Sequence, residues 1–396
     1  MAGRYIPRAG LDALLNYKYQ SGEYSWLDLK LNGFWLWCAE LLPRTMAPNL
    51  VTLIGTFHLF VVATLAAVFD PHLKGEAPSW VYLVNAWCLF VYQTMDAVDG
   101  KQARRTGSSS PLGQLFDHGC DALGTTYIVI GLASILGFGA SWQTVVTIAT
   151  VQIPFFLCQW EENHIHVLRA QIGNFGVTEG QYLSMFLNII TAVLGQQMWH
   201  LTVAEAFSSA AGIDIPSLPG NLDSFQLREV LIPIAGFCPC LLSISTLVSV
   251  GKSGTNFARA LVLTMPFFMQ QAFQALFIFY EPAFSVFQDY SVLLLVMHGL
   301  LFSHLTNRII VASVCHIEFP FLHKILFPIP FLTAIIIYLG RQDEPNTAYN
   351  YQLVFGLIFL YGFAIVFQYF HFVHSVTTNI CKHLGIQCFT LKKTKS

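Results

Sequence analysis

The sequence contains few charged residues for its length. Lys, Arg, Asp and Glu make up only 11% of its 396 residues, whereas hydrophobic residues make up 55%. A soluble enzyme or a disordered chain would carry more charge and fewer apolar side chains. The composition therefore excludes both classes and indicates a protein embedded in a lipid bilayer.

The sequence also lacks the marks of several other classes. Its nine cysteines are scattered, and Cys238 and Cys240 have neither the spacing of an ordinary disulfide nor the second pair that a zinc site requires. We find no internal repeat and no long linker. The polar start MAGRYIPRAGLDALLNYKYQ lacks the apolar core of a cleavable signal peptide. We therefore expect one membrane domain that is inserted through its first span.

Apolar runs long enough to cross the hydrocarbon core recur along most of the chain. We predict an all-α polytopic integral membrane protein with about ten transmembrane helices, because each span needs about 20 residues. The predicted spans lie near 48–70, 78–101, 112–137, 141–160, 180–200, 229–250, 257–281, 288–311, 319–340 and 350–376. Residues 1–45 mix charges with three tryptophans, which indicates either N-terminal interfacial helices or an aromatic belt before the first span.

The basic residues lie mostly on one side of these spans, and Lys and Arg in short loops mark the cytosolic side of a membrane protein. That side holds Arg4, Arg8, Lys18, Lys101, Arg104, Arg105, Arg169, Lys252, Arg308, Lys324 and the tail LKKTKS. The opposite side keeps mainly Lys74, Arg228 and Arg341. We therefore place both termini and the loop 102–111 in the cytosol, and the connection 208–227 in the lumen.

One segment, DAVDGKQARRTGSSSPLGQLFDHGCDA at 96–122, concentrates the scarce charges. Asp96 and Asp99 are three residues apart at the end of the second predicted span, and Asp117 and Asp121 are four apart in the first turns of the third. Each pair therefore shares one helix face. The GSSSP loop folds the two helices against each other, so we expect the four carboxylates to converge near the cytosolic edge of the hydrocarbon.

Carboxylates at membrane depth must be neutralised. Each costs roughly 2.5 to 3.5 kcal/mol on insertion scales, before mutual repulsion is counted. Oxygen ligands on two facing helices are typical of hard cations that also bind substrate phosphates. The pattern predicts two ions of Mg²⁺ or Mn²⁺ held by Asp96, Asp99, Asp117 and Asp121, an arrangement suited to phosphoryl-type displacement.

Small and cationic residues between the acids indicate that a bulky phosphate ligand approaches the backbone. Gly100, Ala103 and Gly113 leave space for such an approach, and Arg104 offers a fork of donors that suits phosphate. Asn49 begins the first predicted span and shares a face with Thr52, one turn away.

The pattern Asp96-x2-Asp99-Gly100-x2-Ala103-Arg104-x8-Gly113-x3-Asp117-x3-Asp121 resembles the full signature of the CDP-alcohol phosphotransferase family. The segments 17–22, 48–52, 92–122, 160–162 and 177–180 are similar to its eukaryotic choline and ethanolaminephosphotransferase branch. The resemblance covers roughly the first half of the chain, and the second half matches only in its hydrophobic layout.

The resemblance implies that the hydroxyl of diacylglycerol attacks the β-phosphorus of CDP-ethanolamine or CDP-choline and releases CMP. Asp96, Asp99 and Asp117 would bind the metals. The CDP-alcohol would be contacted by Asn49, Gly100, Ala103, Arg104 and Gly113. Asp121 would either help to hold the ions or act as the general base. His118 is the alternative base, because an unperturbed imidazole pKa near ~6.5 suits proton abstraction at neutral pH.

Two glutamates outside the signature are further candidates. Glu161 and Glu179 either mark helix ends near water or contact the amine of the head group or the lipid hydroxyl. Trp160-Glu161-Glu162 looks more like the ethanolamine and dual-specificity branches than like the choline branch, so both head groups remain open. The alternatives to a phosphotransferase are an intramembrane Mg²⁺-dependent prenyltransferase and a non-enzymatic cation transporter.

The predicted organisation follows from these assignments. We expect an interfacial region at 1–45, a transmembrane catalytic domain at 46–380 with its active site in 48–181, and a cytosolic basic tail at 381–396. The resemblance also implies a homodimer, and the implied function indicates the endoplasmic reticulum or Golgi membrane. The distribution of basic residues places the active site at the cytosolic face. We expect the protein to contact membrane lipids and to bind no nucleic acid.

Overall fold

The computed structural model describes residues 5–17, 22, 24–211, 224–342 and 347–391. Parts of the predicted lumenal connection 208–227, of the segment 17–22 and of the tail 381–396 lie outside these residues. Within them the helices are α1 (Arg8–Ala13), α2 (Trp26–Leu41), α3 (Pro48–Phe69), α4 (Ser79–Thr106), α5 (Pro111–Leu136), α6 (Trp142–Ile165), α7 (Val177–Leu194), α8 (Val203–Ala211), α9 (Leu227–Lys252), α10 (Phe257–Val262), α11 (Met265–Leu276), α12 (Ala283–Asp289), α13 (Ser291–Val314), α14 (Pro328–Gly340) and α15 (Thr347–Leu384).

Two very short strands are the only sheet in the described part of the chain. β1 (Gln171–Ile172) pairs antiparallel with β2 (Phe175–Gly176) between α6 and α7. The helical content, together with apolar helices of membrane-spanning length, confirms the predicted all-α polytopic membrane fold.

Five helices of the described residues are long and apolar enough to cross a membrane: α3, α5, α9, α13 and α15. The helix α4 also has the length to do so, about 42 Å for its 28 residues, but it carries the charged end of the motif. The predicted number of about ten spans is not established by these five helices and stays a prediction.

One predicted span differs clearly from the structure. Residues 257–281 form two short helices, α10 and α11, rather than one. Asn256 caps the first of them through its side chain, and Pro266 lies in the first turn of the second. A proline fits the first turn of a helix but disfavours continuation of a preceding one, because it lacks the N–H group and its ring clashes with the previous turn. The apolar composition of residues 257–281 therefore did not predict the break between the two helices.

The described part of residues 1–45 includes the helices α1 and α2. Ser25 caps α2, since its hydroxyl accepts from the N–H of Asp28 while the Asp28 carboxylate accepts from the N–H of Ser25. The helix buries Trp35 and exposes Trp26 and Trp37. This two-sided character suits a helix at the headgroup boundary, and that location stays a prediction.

The core lies where α5 and α13 pack together, and these are the most buried of the five apolar helices. Close packing depends here on small residues. A Cβ built on Gly299 of α13 would lie 2.4 Å from Oγ1 and 2.7 Å from Cβ of Thr126, which is buried on α5. Membrane helices use such small residues to bring their backbones together.

Gly299→Ala is therefore expected to destabilise the protein by about 1 to 3 kcal/mol, the usual cost of overpacking a dense core. Thr126 is branched at Cβ and cannot turn its side chain away from the added methyl group. Thermal unfolding in detergent measures the effect. Gly356→Ala in α15 is the matched control, since a Cβ there would meet no atom of the described residues within 4 Å. Equal melting temperatures for the two variants would contradict the prediction.

Candidate active site

The turn between α4 and α5 sets the geometry of the site. Gly107 ends α4 in the left-handed conformation at φ 64°, which glycine adopts without strain. The hydroxyl of Ser110 caps α5 by accepting from the N–H of Gly113 at 3.2 Å, and Pro111 occupies the first turn. The chain therefore leaves one helix and begins the next within a few residues, with one aspartate pair on each side of the turn.

Three of the four predicted aspartates meet. Asp96, Asp117 and Asp121 each contribute a carboxylate oxygen, and these oxygens lie within 4.8 Å of one another. Asp99 is not a member of this group, but its carboxyl contacts Asp117 and accepts a hydrogen bond from the Thr52 hydroxyl of α3. The site is therefore built by three helices rather than by the α4–α5 hairpin alone.

The carboxylates are partly oriented by neighbouring hydroxyls. The phenol of Tyr92 donates to Oδ1 of Asp121 at 2.6 Å. In contrast, Oδ1 of Asp117 is buried and has no hydrogen-bond partner among the residues that the structure describes. A buried, unpartnered carboxylate oxygen beside two further carboxylates is an arrangement that a divalent cation would satisfy. The residues present thus fit a hard divalent metal ion and do not distinguish Mg²⁺ from Mn²⁺.

His118 lies beside the acids on the same helix. Its Nε2 atom is 3.9 Å from Oδ2 of Asp117, and its side chain is buried. The structure therefore places both candidate bases, His118 and Asp121, within one turn of Asp117 on α5.

The predicted CDP-alcohol contacts fall into two groups. Asn49 of α3 lies next to Gly113 of α5, since a Cβ on Gly113 would be 3.8 Å from Oδ1 of Asn49. On α4, a Cβ on Gly100 would meet only Nη1 of Arg104, at 3.6 Å, and Arg104 is exposed. The backbone of Gly100 is therefore open to an approaching ligand. Ala103 is half-buried beside this surface.

The two predicted head-group glutamates have other partners in the structure. Glu161 is fully buried and forms an ion pair with Arg169. Glu179 caps α7 by accepting from the N–H of Gly176 at 2.7 Å, and it also accepts from the N–H of Leu27 at 3.0 Å. Glu179 thus has the helix-end geometry that the sequence offered as its alternative interpretation. A substrate contact by either residue stays a prediction.

A polar network at the N-terminal end of α5 was not predicted from the sequence. Nε2 of Gln114 donates to Oε1 of Glu162 at 2.8 Å, and the hydroxyl of Tyr17 contacts both side chains, at 2.5 Å from Gln114 and 3.3 Å from Glu162. Burial and the negative charge of Glu162 raise the pKa of Tyr17, so its hydroxyl remains a donor. The spacing of Gln114 to Asp117 and Asp121, three and seven residues, was the available sign that it shares their face.

Comparisons with known proteins identify a family whose model covers the residues of this site. The family model described as CDP-alcohol phosphatidyltransferase matches residues 45–210, which include every aspartate of the site. The chain is 30% identical to uncharacterized CDP-alcohol phosphatidyltransferase class-I family protein 1 of Dictyostelium discoideum, over 99% of this chain and 96% of that protein. The chain belongs to the CDP-alcohol phosphatidyltransferase class-I family. The resemblance inferred from the Asp96–Asp121 signature is thereby confirmed.

Two further relatives in the family carry names that describe a reaction. Choline/ethanolaminephosphotransferase 1 of Arabidopsis thaliana is 30% identical over 99% of this chain and 100% of that protein. Human cholinephosphotransferase 1 is 30% identical over 97% of this chain and 89% of its own length. Similarity therefore extends through the second half of the chain, beyond the half covered by the motifs.

Proposed function

We propose that this membrane enzyme transfers phosphoethanolamine or phosphocholine from a CDP-alcohol to diacylglycerol, and so makes phosphatidylethanolamine or phosphatidylcholine. The observation that carries the proposal is the meeting of Asp96, Asp117 and Asp121 within the family signature. The names of the Arabidopsis and human relatives support it. Family membership does not favour the prenyltransferase or the transporter.

The reaction needs a new bond and a proton acceptor. The diacylglycerol oxygen attacks the β-phosphorus, the bond from that phosphorus to the bridging oxygen breaks, and CMP leaves with the bridging oxygen on its phosphate. The hydroxyl proton passes to His118 or Asp121, both of which lie on α5 beside Asp117. Asn49, Gly100, Ala103, Arg104 and Gly113 bind the nucleotide diphosphate on the open side of the turn.

The aspartates Asp96, Asp99, Asp117 and Asp121 would hold two ions of Mg²⁺ or Mn²⁺. Such ions would neutralise the diphosphate and orient it for in-line attack. Thr52 and Tyr92 position the carboxylates of Asp99 and Asp121 for this role. Hydrogen bonds that orient metal ligands are typical of such sites.

The location of the site suits one soluble and one membrane-dissolved substrate. The acids lie at the ends of α4 and α5 beside Lys101, Arg104 and Arg105, which the positive-inside rule places at the cytosolic face. The CDP-alcohol would reach them from the cytosol and diacylglycerol from the bilayer. An endoplasmic reticulum or Golgi location, a homodimer, and the division into 1–45, 46–380 and 381–396 are parts of the same proposal.

Purified protein in lipid nanodiscs is expected to convert radiolabelled CDP-ethanolamine or CDP-choline to labelled phospholipid when diacylglycerol is supplied. EDTA is expected to abolish the product, and added Mg²⁺ or Mn²⁺ to restore it. Omission of diacylglycerol is the control. Absence of labelled phospholipid from both CDP-alcohols would overturn the proposed function.

A further inference from the structure

Among the residues that the structure describes, Glu162 differs from the other two glutamates of this region in having no cation or backbone N–H group to balance its carboxylate. Glu161 is paired with Arg169, and Glu179 accepts from two backbone N–H groups. Glu162 is only 2% exposed, and its Oε2 has no hydrogen-bond partner among the described residues. No ion pair of Glu162 occurs in this part of the chain either.

A buried carboxylate of this kind is costly unless a cation accompanies it. Desolvation of a charge is offset only by a close opposite charge or by several donors. Oε1 of Glu162 has the neutral donors Gln114 and Tyr17, while Oε2 has no donor within the described part of the chain. The side chain therefore has one unused acceptor and one uncompensated charge, which a cationic ligand with an N–H group would satisfy together.

The contact with Gln114 ties Glu162 to the reaction site. Gln114 precedes Asp117 by one helical turn and shares its face with Asp121. Three residues of helix rise about 4.5 Å, and Glu162 contacts Gln114, so its carboxylate lies near the start of α5, on the N-terminal side of Asp117. A head group attached to a β-phosphate at the acids would extend over such a distance.

We propose that Glu162 binds the primary ammonium of the CDP-alcohol head group and thereby favours ethanolamine over choline. This inference rests on the proposed function, because it assigns the donor substrate of the same site. An ammonium group offers three N–H donors, whereas a trimethylammonium group offers none. Only the former can donate to Oε2, so the selectivity comes from a charge-assisted hydrogen bond in addition to charge.

Glu162→Gln is expected to lower the ratio of kcat/KM for CDP-ethanolamine to that for CDP-choline by roughly tenfold, the loss of one hydrogen bond to a charged group. The variant is also expected to bind CDP, which has no head group, as tightly as the wild type does. A general disturbance of the site would weaken CDP binding as well. Glu318→Gln is the matched control, because Glu318 is an exposed carboxylate in an ion pair with Arg259.

The possible outcomes separate this inference from the proposed function. A wild-type enzyme that uses neither CDP-alcohol overturns the proposed function. If the wild type is active but Glu162→Gln has the same selectivity ratio, only the role of Glu162 is overturned. The same conclusion follows if Glu162→Gln binds CDP and CDP-ethanolamine with equally weakened affinity. If Glu162→Gln does not give monodisperse protein, Glu162→Asp is the second variant, because it keeps the negative charge but shortens the side chain by one methylene. A selectivity ratio in Glu162→Asp equal to that of the wild type again overturns the inference.

Discussion

Asp117→Asn is expected to lower kcat/KM for either CDP-alcohol by at least about 10²-fold, because it would remove several kcal/mol of charge stabilisation from the transition state. Asp117 shares the site with Asp96 and Asp121, and its buried Oδ1 has no partner among the described residues. Asparagine keeps the shape of the side chain but removes one negative charge. The variant should therefore lose its share of cation binding without a change in packing.

The same variant is expected to be at least as stable as the wild type in EDTA. Buried carboxylates that face one another repel and are desolvated, so neutralising one of them relieves both costs when no cation is bound. Activity and thermal unfolding in detergent measure the two effects together. Asp12→Asn, at a carboxylate with 58% of its side chain exposed, should change neither. Wild-type activity in Asp117→Asn, or a clearly lower melting temperature, would contradict this account.

The acid cluster was accessible from the sequence because its determinants are local. The spacing of Asp96 to Asp99 and of Asp117 to Asp121 fixes which helix face each pair occupies. Gly107 and Pro111 mark where the first helix ends and the second begins. These rules together predict that the pairs approach. In the structure the carboxylate oxygens of Asp96, Asp117 and Asp121 lie within 4.8 Å of one another, and Asp99 contacts Asp117.

The supporting residues were not accessible in this way because they come from distant parts of the chain. Thr52 reaches Asp99 across 47 residues, and Tyr17 reaches Gln114 across 97. Such contacts depend on how α3, α6 and the N-terminal segment pack against the hairpin, which hydrophobic periodicity does not specify. The different partners of Glu161 and Glu162 illustrate the limit, since adjacent glutamates with the same local pattern face different neighbours.

His118→Ala is expected to lower kcat by about 10² to 10⁴-fold, the usual contribution of a general base. The arrangement favours His118 over Asp121 for this role. Asp121 already accepts from Tyr92 and belongs to the three-carboxylate group. His118 stands outside that group, and the carboxylate of Asp117, 3.9 Å from its Nε2, would stabilise the imidazolium that forms when the lipid hydroxyl gives up its proton.

Asp121→Asn is expected to impair turnover by raising the Mg²⁺ requirement rather than by removing the proton acceptor. The Mg²⁺ concentration for half-maximal activity should rise at least about tenfold if Asp121 serves the cation, whereas His118→Ala should leave that concentration unchanged. Measuring kcat across a Mg²⁺ titration for both variants therefore separates the two roles. Nearly full activity in His118→Ala would remove His118 as the base. A large loss of kcat in Asp121→Asn at an unchanged Mg²⁺ requirement would assign the proton to Asp121 instead, because its carboxylate would then be needed after the cation has bound.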